Sequence, residues 1–257
     1  MTNPWKHFAE DLKSSFSTTS GIGNTSLVTK TKVRACSAQE LLDETLALPQ
    51  EAFQWHMLSN DPLFERYSRA QCTAIISQGE QIGRQYASEV LSLGMGVDEV
   101  LKHYAIDYDE QTKPIAADRV IFAQYVEPKS ITVFTDTLRK YQQYREVHGA
   151  AQDISGSTVR NVLIAHELFH YLEYRDEQTI ATRNFRITTH RLGPITLKSK
   201  VSSMSEIAAM EFAKVWLGLD YSPNVFDVLL VRPYEPDAAT VILDNISSVY
   251  HQQSLTA

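Results

Sequence analysis

The stretch from Ser157 to Arg175, STVRNVLIAHELFHYLEYR, constrains this chain more than any other. Val162, Leu163, Ile164, Leu168, Phe169 and Leu172 recur at helical spacing and wrap most of one helix, which predicts a buried element. That helix nonetheless carries His166, Glu167 and His170 in an HExxH arrangement. Residues four apart lie one above the other, so both imidazoles leave the same face and can reach one tetrahedral metal ion. Glu167 sits one position round, beside the ion. A carboxylate there can hydrogen-bond a metal-bound water and take its proton, the general-base role in metal-assisted peptide hydrolysis.

Composition bounds the alternatives. A chain of 257 residues with 43% hydrophobic content can bury a sizeable core, and a formal net charge of −7 argues against a surface built for indiscriminate phosphate binding. No direct nucleic-acid binding is expected. The two cysteines, Cys36 and Cys72, form no close pair and suggest neither a disulfide framework nor a cysteine zinc site. With no signal-peptide pattern and no run long enough to span a membrane, the expectation is a soluble, cytoplasmic protein without a membrane partner.

Local patterns predict a mostly helical chain. A short amphipathic piece, Trp5 to Phe16, precedes a Ser/Thr/Gly-rich loop from Ser17 to Thr25 and a helix over Ala38 to Leu48. Asp61-Pro62 reads as a helix start, with Gly79 a point at which the helix could divide and Gly94-Met-Gly96 its end. Val97 to Tyr104 predicts a short helix. Arg119 to Val126 and Ile131 to Phe134 predict a hairpin, and Thr135-Asp136 a helix to about Glu146. Beyond the HExxH helix, Arg183 to Val201 predicts a second hairpin. Helices are then expected over Ser203 to Leu217, ended by Gly218, over Pro223 to Val231, and from about Asp237 to His251.

A catalytic zinc usually has three protein ligands and an open position, so two histidines leave one to find. Glu173, His190, Glu206, Glu211 and Asp220 are the candidates. Glu173 shares the histidine face but, at i+3 from His170, points further along the axis than a closed coordination sphere allows; it reads as a surface or outer carboxylate. Glu206 is preferred because Ala209 and Ala213 lie on its face and let that helix approach closely. Glu211 lies about 140° round from it by the helical step.

HELFHYLE, followed by Glu206-Ile-Ala-Ala-Met-Glu-Phe-Ala213, resembles the ImmA/IrrE-type metallo-endopeptidases, whose second motif is a glutamate followed by Ala at +3 and Phe-Ala at +6 and +7. The resemblance spans roughly residues 62 to 232. It implies an α+β fold, a mostly helical thermolysin-like (gluzincin-like) core with a small β-sheet. It further implies Zn2+ on His166, His170 and Glu206, with Glu167 as base, and a protein or peptide substrate such as a helix-turn-helix repressor. Residues 1–60 are expected to form an N-terminal helical extension and residues 61–257 a metallopeptidase-like catalytic domain. The chain departs from the family pattern at Phe169, usually Gly, and at Met210, usually Asp or Asn. Met210 cannot orient an imidazole by a hydrogen bond, so that contact must come from elsewhere. The segment between the two motifs is also longer than usual.

Other expectations stand beside this one. Mn2+ or Fe2+ suits the same donors. His190, Tyr171 and Tyr174 are candidates for oxyanion stabilisation, with an exposed histidine and packing tyrosines as the plainer reading. No acidic residue occurs between Gln178 and Ser205, whereas Arg183, Arg186, Arg191, Lys198 and Lys200 do, so the second hairpin offers positive charge and an extended edge to a peptide. The alternative function is a metal-dependent regulatory or sensing module that binds a protein partner without cleaving it.

Overall fold

The computed structural model describes residues 33–112, 121–148, 154–192 and 195–255, and the side chains at 189–197 lie outside that description. The expectations for Trp5 to Phe16 and Ser17 to Thr25 fall outside the described residues. The described chain runs α1 (Ala38–Ala47), α2 (Gln50–Ser59), a 3-10 turn (Phe64–Arg66), α3 (Arg69–Leu91), α4 (Val97–His103), β1 (Asp107–Gln111), β2 (Ala123–Val126) and β3 (Ser130–Phe134). It continues through α5 (Thr135–His148), α6 (Gly156–Arg175), α7 (Ala181–Asn184), β4 (Arg186–Leu192), β5 (Ile195–Lys200), α8 (Ser203–Leu217), α9 (Val225–Leu229) and α10 (Pro236–Leu255). The fold is thus α+β, mostly helical with a small mixed sheet. No helix among the described residues is long and apolar enough to cross a membrane.

Helix α8 lies at the centre because it is apolar nearly all round. Met204, Ile207, Ala208, Ala209, Phe212 and Ala213 are all essentially inaccessible to solvent. It packs on α3 along one side and on α6 along another. The approach of α3 depends on two glycines. A Cβ on Gly83 would stand 2.5 Å from the carbonyl oxygen of Ala208, and one on Gly79 2.9 Å from Ile207 Cγ2. Gly79 therefore does not divide the helix as its position suggested; α3 runs unbroken for 23 residues and the missing side chain admits its neighbour.

Asp61-Pro62 also behaves differently from its sequence signature. Ser68 caps α3, with its hydroxyl accepting from the Gln71 amide, while Asp61 precedes only the 3-10 turn. The buried Asp61 carboxylate instead accepts from the amide and hydroxyl of Ser203, at 3.3 and 3.0 Å, and so caps α8 from a distant part of the chain. Ser202, which precedes α8, makes no cap bond with its own side chain.

The three-stranded sheet has the order β1-β3-β2. β2 and β3 form the expected antiparallel pair, with Tyr125 opposite Ile131, and β1 adds in parallel on the other side of β3. β1 escaped sequence reading because DYDEQ has neither an apolar run nor β-branched residues; its position comes from pairing. The sheet lies against α6 through β2 and β3, and β2 keeps an edge without a strand neighbour among the described residues. β4 and β5 form a separate two-stranded ribbon anchored in the core by Ile187.

Candidate metal centre

Ser155 starts α6 by accepting from the Thr158 amide, and the helix then runs without interruption through His166 and His170. The imidazoles leave the same face, their Nε2 atoms 3.1 Å apart. Helix α8 brings Glu206 to them, its Oε2 lying 3.3 Å from His166 Nε2 and 3.8 Å from His170 Nε2. His166 and Glu206 are buried and His170 is half-buried.

These separations can be tested against a metal. Ligand atoms about 2.0–2.1 Å from one tetrahedral ion stand roughly 3.3 Å from one another. The three donor atoms, all within 4.8 Å of one another, form a group able to hold a metal ion. Among the described residues the group has two imidazoles and one carboxylate, and three protein ligands is the number at which a zinc site keeps a fourth position for water. The donor set fits, and the sequence-expected trio is brought together.

Glu167 is half-buried beside the trio. Burial raises its carboxyl above the ordinary range, opposed by His166, His170 and the backbone amide of Tyr125, which donates to it from β2. A raised proton affinity favours a carboxylate as a proton acceptor. Burial pushes His170 down, but Glu206 and Glu173 outweigh it and raise the imidazole from 6.5 to about 9 in the metal-free protein.

The remaining candidates separate cleanly. Glu173 is buried, 4% exposed, and stands behind the site with Oε2 3.7 Å from His170 Nδ1. Its carboxyl is held at about 2: burial opposes this, but His170, Thr182 and Ser205 stabilise the charge. Glu211 points to the α3 side, where Arg84 and Gln50 each donate to it at 2.7 Å. Asp220 is exposed, and the His190 side chain lies outside the described set. Tyr171 packs against Tyr104 and Tyr125, with ring centroids 5.7 and 6.5 Å apart, and Tyr174 lies beneath the Arg183 guanidinium at 5.6 Å. Both tyrosines are thus engaged in packing.

Near the site, sequence reasoning missed one residue and misplaced another. Asp227 on α9 is raised by burial to about 6, and the fields of both His166 and Glu206 reach it. An acidic residue inside the apolar run Val225-Phe-Asp-Val-Leu-Leu230 was the available signal. Arg183 belongs not to the exposed ribbon with which its charge grouped it, but to α7. There it meets Glu127 at 2.8 Å, and Glu173 and Glu177 at 3.5 Å each. Arg186, Lys198 and Lys200 are exposed on the ribbon. No protein family, curated protein or solved structure that was compared matches the chain.

Proposed function

We propose that this chain is a metal-dependent endopeptidase in which His166, His170 and Glu206 hold one Zn2+ and Glu167 is the general base. The observation that carries the reading is the convergence of these three donor atoms beside the Glu167 carboxylate. A Zn2+ ion held there supplies Lewis acidity and a water of lowered pKa. Glu167 takes a proton from the attacking water as its oxygen bonds to the scissile carbonyl carbon. The carboxyl then delivers that proton to the amine nitrogen as the C–N bond breaks.

The substrate is an extended segment of a protein. Among the described residues β2 is an edge strand, and the amide of Tyr125, on that strand, already faces Glu167. A peptide lying along this edge would gain main-chain hydrogen bonds within reach of the base. The resemblance of HELFHYLE and Glu206-Ile-Ala-Ala-Met-Glu-Phe-Ala213 to ImmA/IrrE-type peptidases supports a thermolysin-like core and a helix-turn-helix repressor as the kind of protein cut.

The test is wild type against Glu167→Gln. Equal Zn2+ content with hydrolysis reduced by about 100-fold to 10,000-fold is expected for loss of a general base. A partner protein bound equally by both forms and cleaved by neither would turn the reading to a regulatory module.

A further inference from the structure

The side of His170 turned away from Glu206 is built as carefully as the side turned toward it. Glu173 Oε2 lies 3.7 Å from His170 Nδ1 and 3.5 Å from Arg183 Nε, so one carboxylate oxygen stands between an imidazole and a guanidinium. The Arg183 Nε atom is buried and has no hydrogen-bond partner, which leaves Glu173 as the acceptor it approaches. The rest of the guanidinium is fixed. Its Nη2 donates to Glu127 at 2.8 Å, its Nη1 approaches Glu177 at 3.5 Å, and its plane lies over Tyr174.

We propose that Glu173 and Arg183 are positioning residues for His170, a relay that holds its Nδ1 proton toward Glu173 and presents Nε2 to the metal. The proposal rests on the metal-centre reading above and adds what sets the ligand's tautomer. A ligating imidazole must donate from its other nitrogen, and the acceptor fixes ring orientation and increases basicity. Met210 offers no such acceptor on α8, so α6 provides one itself, one turn beyond the second histidine. Arg183, 3.5 Å from the same oxygen, faces that buried carboxylate and holds it on the Nδ1 side. Through Glu127 in the turn after β2, the same guanidinium also sets the edge strand relative to the ligand helix. One side chain thereby couples the substrate edge to the metal ligand.

The experiment titrates the full chain with Zn2+ alone against a chelator, alongside the melting temperature of the metal-free protein. Glu173→Gln should weaken Zn2+ binding by about 10- to 100-fold, the usual loss for an orienting partner. Glu173→Asp should recover part of it. Arg183→Gln should lose less, and the double variant should bind no more weakly than Glu173→Gln alone, because the arginine acts through the glutamate. In the Zn2+-loaded protein, the NMR signal of the His170 Nδ1 proton should move in both single variants, a change that a purely structural role would not produce. Folded Glu173→Gln or Arg183→Gln binding Zn2+ within about threefold of wild type overturns the relay, as do additive losses. If Glu173→Gln does not fold, unchanged affinity in Glu173→Asp and Arg183→Gln overturns it equally. A wild-type chain that takes up no Zn2+ removes the metal centre itself, and this proposal with it.

Discussion

Helix α8 carries two glutamates five residues apart, 7% and 6% exposed, whose surroundings answer their charge in different ways. Glu211 meets Arg84 and Gln50 at 2.7 Å, a permanently charged guanidinium and a fixed amide. Glu206 meets two imidazoles, at 3.3 and 3.8 Å, whose charge is optional. A buried carboxylate needs a cation or several donors. At Glu211 the protein supplies the cation covalently, whereas at Glu206 the same need can be met by an exchangeable ion. One helix therefore holds a structural charge on one face and a candidate metal ligand on another.

The two glutamates should not be interchangeable. Glu206→Gln should weaken Zn2+ binding by more than about 100-fold, beyond the loss expected for an orienting partner. Retained Zn2+ uptake, measured by chelator competition, would end the distinction.

Proton competition gives the next largest effect. Metal binding requires neutral His170, which its carboxylate neighbours hold protonated up to about 9. Zn2+ affinity should therefore rise about tenfold per pH unit between 6.5 and 9 as one proton is displaced. The metal-free protein should behave oppositely. A raised imidazole contributes stability that is complete below about 6.5 and lost as pH rises through 9, so its melting temperature should fall across that window. Zn2+ titrations and thermal melts over the same pH series check both signs.

Gly83→Ala tests whether the closeness of α3 and α8 matters to both glutamates. The added methyl meets the Ala208 carbonyl oxygen and the Cβ of Glu211, so the helices must separate at a cost of about 1–3 kcal/mol. Denaturant unfolding should show that loss, with Zn2+ affinity falling alongside it as α8 shifts.

The smallest effect should come from Glu211→Gln. It keeps shape but loses the charge facing Arg84, which is itself half exposed, so about 1–2 kcal/mol is expected. That corresponds to a few degrees in melting temperature for a chain of this size, with Zn2+ affinity unchanged. A loss of Zn2+ binding here would show that the two faces of α8 are not independent.

What the sequence determined by itself was local. The spacing of apolar residues defined α6 and α8, the interval of four put His166 and His170 on one face, and Gly218, at φ 65°, closed α8 where expected. Small Ala209 and Ala213 singled out Glu206 over Glu211. These are relations among residues within about two helical turns, and backbone geometry fixes them whatever lies beyond. Tertiary structure decided which charges meet. It turned Asp61 from a supposed local cap into the cap of α8, made Gly79 a contact with Ile207, and added β1 by parallel pairing. It also took Arg183 out of the basic ribbon and set it behind Glu173. The physical reason is that a charge carries no record in sequence of its partner: Arg183 and Glu127 are joined only because folding brings α7 against the turn after β2.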